Sequence, residues 1–158
     1  MGGAGKEWGN YDRAAFAKIM RGIDYMGHLH REEKDMDQKK KIKWRSEPAG
    51  KDYDAAETFL QLLYEPKKAR RWAKQLKQVD MTEYAAKDIL RASCTALSEI
   101  QAFDWRKQQK EIDEGKPLSP ILMVKQDNGE RLIIVDGFHR MCALFANDQE
   151  VKVPCKIV

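Results

Sequence analysis

The sequence predicts an α+β fold with a small mixed sheet, packed helices and a helical N-terminal region. Residues 1–78 have apolar side chains at helical spacing, whereas residues 79–158 combine short β-branched runs with helical segments. The apolar run Leu132–Val135, followed directly by helical spacing, indicates a strand that turns into a helix. We therefore predict a basic helical region at 1–78 and an α+β domain at 79–158. The length of 158 residues suits one domain with a helical extension.

Three helices are predicted in the N-terminal region. Asn10 or Asp12 can cap the first helix. The segment Asp54–Glu57 resembles a capping box and is expected to open the second helix, after a turn at 47–50. Pro66 opens the third helix, because proline fits the first turn. The expected apolar faces are Phe16, Ile19, Met20 and Ile23 in the first helix, Ala56, Phe59, Leu60 and Leu63 in the second, and Ala69, Trp72, Ala73 and Leu76 in the third.

The third helix has a strongly cationic outer face. Region 1–78 has a net charge of +6, against −2 for residues 79–158. A cationic helix face can bind a phosphodiester backbone, although many such faces are simply solvated surfaces with long basic side chains. The candidate nucleic-acid-binding residues on this helix are Lys67, Lys68, Arg70, Arg71, Lys74 and Lys77.

The 79–158 region is expected to begin with a short strand at Val79–Thr82 and a helix at about 84–91. A further helix at about 97–114 should end at Gly115, because glycine is a favoured residue after a helix. The 132–135 strand is expected to be buried and to stop at the turn dipeptide at 136–137. The helix that follows is predicted to bury the face formed by Phe138, Met141, Cys142 and Phe145.

The junction between this strand and helix suits an anion. The first backbone N–H groups of a helix have no partner within it, and the helix dipole adds partial positive charge there. Gly137 lets a ligand approach the backbone beside Phe138, and His139 and Arg140 place hydrogen-bonding or cationic side chains in the first turn. We therefore predict a phosphate site at 136–140. Asp136 could hold a metal ion, orient His139 or simply cap the helix, and the alternative for the whole junction is a turn without a ligand.

Three motifs resemble those of the ParB/sulfiredoxin superfamily, in the same order and over roughly residues 79–158. Residues 134–144, Ile-Val-Asp-Gly-Phe-His-Arg-Met-Cys-Ala-Leu, are similar to the family's D-G-H-H-R-x-x-A segment. Residues 115–124 resemble its G-x-x-x-x-P-I-x-V strand, and residues 151–158 its closing V-P-C-x-[IV] strand. The resemblance implies the family's fold and a bound nucleotide or other phosphate-bearing ligand. It also implies a second wall over the ligand, for which the candidates are Asp88, Arg91, Ser93 and Glu99.

Two positions of the central motif depart from known members of the superfamily. Sulfiredoxins have a reactive cysteine where this chain has Phe138, so sulfinic acid repair is not expected. ParB proteins that hydrolyse nucleotides have a glutamate at that position and an arginine at the position of His139. Members with D-G-H-H-R include kinases that act on free serine and ParB-like nucleases. The resemblance therefore implies a ligand and leaves the reaction open.

Two classes of function remain. In the first, the protein is an enzyme, either a ParB-like nuclease or a nucleotide-dependent phosphotransferase. His139 or Asp136 then assists catalysis, and a second carboxylate is needed to hold Mg²⁺. In the second, the protein is a catalytically inactive module that binds DNA or another protein through the basic helix at 67–77.

Composition argues against several other classes. No apolar run approaches the roughly 20 residues of a membrane span, and the N-terminus lacks the apolar centre of a secretory signal. The chain is therefore expected to be cytoplasmic, without a membrane partner. Its three cysteines, Cys94, Cys142 and Cys155, lack metal-ligand spacing and are expected to be reduced thiols. His28 and His30 fall on different sides of a helix, so no metal site is predicted there.

Overall fold

The computed structural model describes residues 41–127 and 129–158, which lie in one compact unit, Lys39–Val158. The predicted first helix, with its caps at 10 or 12 and its apolar face at 16–23, lies outside the described residues, as do His28 and His30. No helix in the described part of the chain is long and apolar enough to cross a membrane. The described elements, in chain order, are α1 (Gly50–Leu63), α2 (Pro66–Gln78), β1 (Thr82–Ala85), α3 (Ala86–Ala92), α4 (Leu97–Ala102), α5 (Arg106–Asp113), β2 (Ile121–Lys125), β3 (Leu132–Asp136), α6 (Phe138–Asn147) and β4 (Lys152–Ile157).

The four strands form one mixed sheet in the order β1-β4-β2-β3. β4 is antiparallel to β1 and parallel to β2, and β2 is antiparallel to β3. The α+β class and the small mixed sheet with packed helices are therefore confirmed for the described residues. The expectation of a buried strand at 132–135 is wrong for its first half. Because β3 is at the edge of the sheet, Ile134 and Val135 are buried, whereas Leu132 and Ile133 are only half-buried.

Helices α1 and α2 pack together on one face of the sheet. The predicted buried stripe of α2 is confirmed, with Ala69, Trp72, Ala73 and Leu76 all buried. Both helices lie within the 39–158 unit, and the predicted division of the chain after residue 78 stays a prediction. The core cluster joins residues of both helices to the sheet: Tyr53, Ala56, Leu60, Ala69, Trp72, Leu76, Leu122, Val124 and Val135.

Helix α1 begins earlier than predicted and buries a different face. It starts at Gly50 rather than near Asp54. The carboxylate of Asp52 accepts hydrogen bonds from the Ala49 N–H, at 3.0 Å, and from the Ser119 hydroxyl, and these bonds stabilise the earlier start. Phe59 and Leu63, which the sequence placed on the buried face, are 37% and 52% exposed because the sheet contacts the neighbouring face of the helix.

The first strand lies at 82–85, not at 79–82 as predicted. The N–H of Val79 still bonds to the carbonyl of Gln75, at 3.0 Å, and so completes α2. Pairing with β4 begins only at Thr82, opposite Cys155. The helix predicted at about 84–91 consequently starts at Ala86.

The helix predicted at 97–114 is two helices, α4 and α5. The Asp104 carboxylate between them accepts hydrogen bonds from the backbone N–H of Arg106, at 3.1 Å, and from its guanidinium, at 2.7 Å. The first bond gives the backbone N–H at the start of α5 an acceptor, and the two together connect the loop at 103–105 to this helix. Gly115 follows α5 with φ +65° and bonds to the carbonyl of Ile112, which confirms the predicted end.

Helix α6 packs against α3, α5 and β2. Met141, Cys142 and Phe145 are buried as predicted, and Phe138 at its start is half-buried. The buried face holds the helix firmly, while its first turn reaches the surface beside β3. This placement determines the geometry of the 136–140 turn.

Candidate phosphate-binding site

The predicted turn between strand and helix is present, and it requires a glycine. Gly137, between β3 and α6, has φ +95° and ψ 16°, which is the left-handed region. A Cβ atom at this position would stand 2.5 Å from the Cδ1 of Ile121 and 2.9 Å from the Nη2 of Arg140. The turn is therefore both left-handed and closely packed, and glycine meets both conditions.

The first backbone N–H groups of α6 remain free within the described structure. Gly137 is the N-cap and has no side chain to cap them. The first backbone bond of the helix runs from the N–H of Met141 to the carbonyl of Gly137, at 2.9 Å. The amides of Phe138, His139 and Arg140 have no described acceptor. Three donors at the positive end of the helix are thus free for an anion.

Arg140 folds back over the turn and pairs with Asp136. Its Nη2 donates a hydrogen bond to the Oδ2 of Asp136, at 2.6 Å, and the two side chains are 17% and 18% exposed. The Nε of Arg140 is buried and has no hydrogen-bond partner among the described residues. A guanidinium has five N–H donors, so this ion pair leaves part of the group unused. The cation is therefore fixed beside the free amides.

Burial raises the pKa of the Asp136 carboxyl above its ordinary value, and the nearby Asp52 carboxylate raises it further. The Arg140 guanidinium and the Gly137 N–H act in the opposite direction without cancelling the rise in pKa. Asp136 is thus a half-buried acid that is already paired with Arg140.

His139 is exposed and lies beside the loop at 103–105. Its ring makes an edge contact with Phe103, with centroids 5.4 Å apart, and Phe103 also contacts Phe138 at 4.9 Å. Hydrogen bonds from Arg106 lower the pKa of Asp104 to about 2, and the charge of His139 adds to this effect. The imidazole therefore lies at the surface, in contact with the rings of Phe103 and Phe138 and near the Asp104–Arg106 ion pair.

A cavity of about 170 Å³ opens beside the turn. Phe138 forms one wall, and residues 132–134 of the edge strand β3, with Arg131 just before it, form another. Ser93 and Thr95, whose hydroxyls lie 2.7 Å apart, supply polar groups, as does Arg131. Ligand pockets usually measure about 300–1,000 Å³, so this cavity suits one ring or a similar fragment of a ligand and not a whole nucleotide.

The described residues do not fit a divalent cation at this turn. None of them form a group of three or more His, Cys, Asp or Glu side chains arranged to hold a metal ion. The Asp136 carboxylate is paired with Arg140, and the Asp52 carboxylate is buried and bonded by Ser119 and Ala49. Among the described residues, the turn therefore lacks the second free carboxylate that was expected to hold Mg²⁺.

The comparisons with known proteins found no relative. No protein-family model, curated protein or solved structure matches this chain. The resemblance to the ParB/sulfiredoxin superfamily stays a prediction that depends on the motifs at 115–124, 134–144 and 151–158.

The structure separates Lys68 from the other basic residues of α2. The Lys68 ammonium lies 4.6 Å from the ring centroids of both Tyr64 and Trp72 and pairs with Asp127. Its side chain is only 24% exposed. The other five predicted nucleic-acid-binding residues are exposed along the outer face: Lys67, Arg70, Arg71, Lys74 and Lys77.

Of the predicted second-wall residues, Ser93 lines the cavity. Asp88 and Arg91 pair with each other at 3.5 Å on the surface of α3, and Glu99 is close enough to raise the pKa of Cys142. Sequence reasoning missed the other cavity residues, which come from separated segments that only the fold brings together: Phe59, Thr95 and Arg131.

Proposed function

We propose that the protein binds a phosphate-bearing ligand, a nucleotide or a nucleic-acid phosphate, at the 136–140 turn of a ParB/sulfiredoxin-like fold. One observation carries the proposal: three uncapped helix amides lie beside a fixed guanidinium and an exposed imidazole. Backbone amides and arginine are the groups that proteins use for phosphate oxygens, since both present several N–H donors.

The cavity next to the turn supports a ligand that extends beyond its phosphate. Phe138 belongs to both places, because its amide is free at the turn and its side chain lines the cavity. A ring held against Phe138 would therefore leave a linked phosphate near the amides of 138–140. Arg131 and the hydroxyls of Ser93 and Thr95 offer hydrogen bonds to the polar edge of such a ring.

The proposal is for binding, and the chemistry of Asp136 favours this restriction. A Mg²⁺-dependent phosphoryl transfer needs carboxylate oxygens that are free to hold the ion. Asp136 is paired with Arg140, and the buried Asp52 carboxylate already accepts hydrogen bonds from Ser119 and Ala49. Mg²⁺-dependent hydrolysis of a nucleotide or of DNA that disappears in His139→Ala would contradict the restriction to binding.

Isothermal titration calorimetry of the full chain with a nucleoside triphosphate, the free nucleoside and inorganic phosphate tests the proposal. We expect the triphosphate to bind more tightly than the nucleoside. Arg140→Lys keeps the charge and loses the guanidinium fork, so triphosphate binding should weaken by about tenfold or more. His139→Ala, at an exposed position, should weaken binding without loss of folding.

The matched control is Arg71→Lys, the same exchange on the outer face of α2. It should leave triphosphate binding unchanged. Equal affinity in the wild type, Arg140→Lys and His139→Ala would refute the proposal, as would the lack of any binding of triphosphate and phosphate to the folded wild type. Circular dichroism of each variant shows whether it is folded.

A further inference from the structure

The outer face of α2 forms a continuous cationic stripe. Lys67, Arg70, Arg71, Lys74 and Lys77 recur at intervals of three and four residues, which places them on one side of a helix. At a rise of 1.5 Å per residue, the stripe from Lys67 to Lys77 is about 15 Å long. All five side chains are exposed, and none forms an ion pair with another described residue.

The stripe has a rigid base. The opposite face of α2 is buried in the core through Ala69, Trp72 and Leu76. Lys68, which points to neither face, is held by Tyr64, Trp72 and Asp127. Packing therefore fixes the position of the helix that carries the cations. Because the backbone is already ordered, it loses little conformational entropy when a partner binds.

The composition of the stripe distinguishes between partners. The remaining exposed positions of α2 are proline and glutamine, so the face offers no apolar or aromatic anchor. Protein interfaces usually depend on such anchors, and single-stranded nucleic acids are usually bound by aromatic side chains that stack on bases. A surface with cations alone fits the phosphate backbone of a duplex, which is bound through charge and without stacking.

We propose that the outer face of α2 binds the phosphodiester backbone of a double-stranded nucleic acid. Duplex DNA carries one negative charge about every 1.7 Å of its axis when both strands are counted. A stripe of about 15 Å therefore lies opposite several phosphates, and each of its five long side chains can contact one of them. This surface is distinct from the 136–140 turn, because it involves neither Arg140 nor the amides of α6.

Fluorescence anisotropy of a labelled 20-base-pair DNA duplex with the full chain tests this proposal, at salt concentrations from about 50 to 200 mM. Neutralisation of five phosphates predicts a slope of about −4.5 in log K against log salt, or about a 500-fold loss of affinity across this range. The variant Arg70→Gln/Arg71→Gln/Lys74→Gln should reduce the slope to about −1.8, because three contacts are removed.

The matched control, Lys107→Gln/Lys110→Gln/Lys116→Gln, removes the same charge from exposed lysines on and just after α5. It should retain the wild-type slope, and so should Lys68→Gln. A reduced slope in the α5 control equal to that in the α2 variant would assign binding to net charge and overturn the proposal. An RNA duplex of the same sequence identifies which duplex is bound more tightly, and binding of either one supports the proposal.

Three further outcomes would overturn it. The first is no duplex binding by the wild type at the lowest salt concentration. The second is tighter binding of the single strand than of the duplex, and the third is tighter binding of a polyglutamate peptide, which would indicate an acidic protein partner. Because the α2 variant should weaken duplex binding and leave triphosphate binding unchanged, failure of either proposal is distinguishable from failure of the other.

Discussion

The guanidinium of Arg140 lies 2.6 Å from the carboxylate of Asp136, across a left-handed glycine that leaves no room for a Cβ atom. The pair closes the turn from which α6 begins and places a cation next to three free amides. A helix N-terminus attracts negative charge, and so does Arg140, while Asp136 opposes an anion. The balance between these charges decides both the stability of the turn and its affinity for phosphate.

Replacement of Gly137 by alanine should destabilise the protein by about 1–3 kcal/mol or more, because a non-glycine residue is strained at φ +95° and its Cβ would meet Ile121 at 2.5 Å. The free energy of unfolding from urea denaturation measures the effect. Gly129→Ala is the control, since Gly129 also has a positive φ, +68°, but nothing lies within 4 Å of its Cβ position. Equal losses in the two variants would mean that backbone strain alone, and not the packing of the turn, requires glycine at 137.

The pH dependence of stability should show whether burial or the ion pair dominates at Asp136. The pKa of this carboxyl is raised above its ordinary value near 3.8 in the folded protein. A folded state that holds the proton more tightly is favoured at low pH. The contribution of Asp136 to the free energy of unfolding is therefore fully present below the ordinary pKa of 3.8 and is lost as pH rises through the raised pKa.

Urea denaturation of the wild type and Asp136→Asn between about pH 4 and pH 7 tests this sign. The free energy of unfolding of the wild type, minus that of Asp136→Asn, should fall with increasing pH. The other titrating groups are common to both proteins and largely cancel in the difference. A difference that increases with pH would show that Arg140 stabilises the carboxylate by more than burial opposes it.

Thiol reactivity should be confined to Cys94 in the folded protein. Cys94 is exposed, whereas Cys142 and Cys155 are buried. Burial raises the pKa of the Cys142 thiol to about 12, so its reactive thiolate is scarce at neutral pH. Mass spectrometry after treatment with iodoacetamide at pH 7.5 should show one modified cysteine, and none in Cys94→Ser. Modification of Cys142 in the native protein would contradict its burial and reopen a role in sulfur chemistry.

Lys68 should contribute to stability and not to nucleic-acid binding. Its ammonium lies between the rings of Tyr64 and Trp72 and pairs with Asp127, so Lys68→Ala should cost about 1–2 kcal/mol in urea denaturation. Lys74→Ala, at an exposed position on the same helix, should change stability by less than about 0.5 kcal/mol. Equal small effects would mean that the ring contacts and the ion pair of Lys68 do not stabilise the fold.

Much of the fold could be predicted because local patterns reflect packing directly. The apolar spacing in α2 has a 3.6-residue period that reflects which side chains are buried. The β-branched run before Gly137 indicates a strand, although only its second half is buried. Element boundaries were less predictable. The break between α4 and α5 depends on Asp104, whose carboxylate bonds locally to Arg106, and the early start of α1 depends on Ser119, which is distant in sequence.

The sequence by itself determined the α+β class, the sharp turn at Gly137, the buried and exposed faces of α2 and the burial of Cys142, since each follows from residue type and spacing along a short segment. Only the tertiary structure decided that Arg140 pairs with Asp136 over the turn, that Lys68 is held by two aromatic rings, and that Phe59, Thr95 and Arg131 meet at one cavity. Each of these contacts depends on how the helices pack on the sheet. The spacing of residues along the chain does not specify such distances.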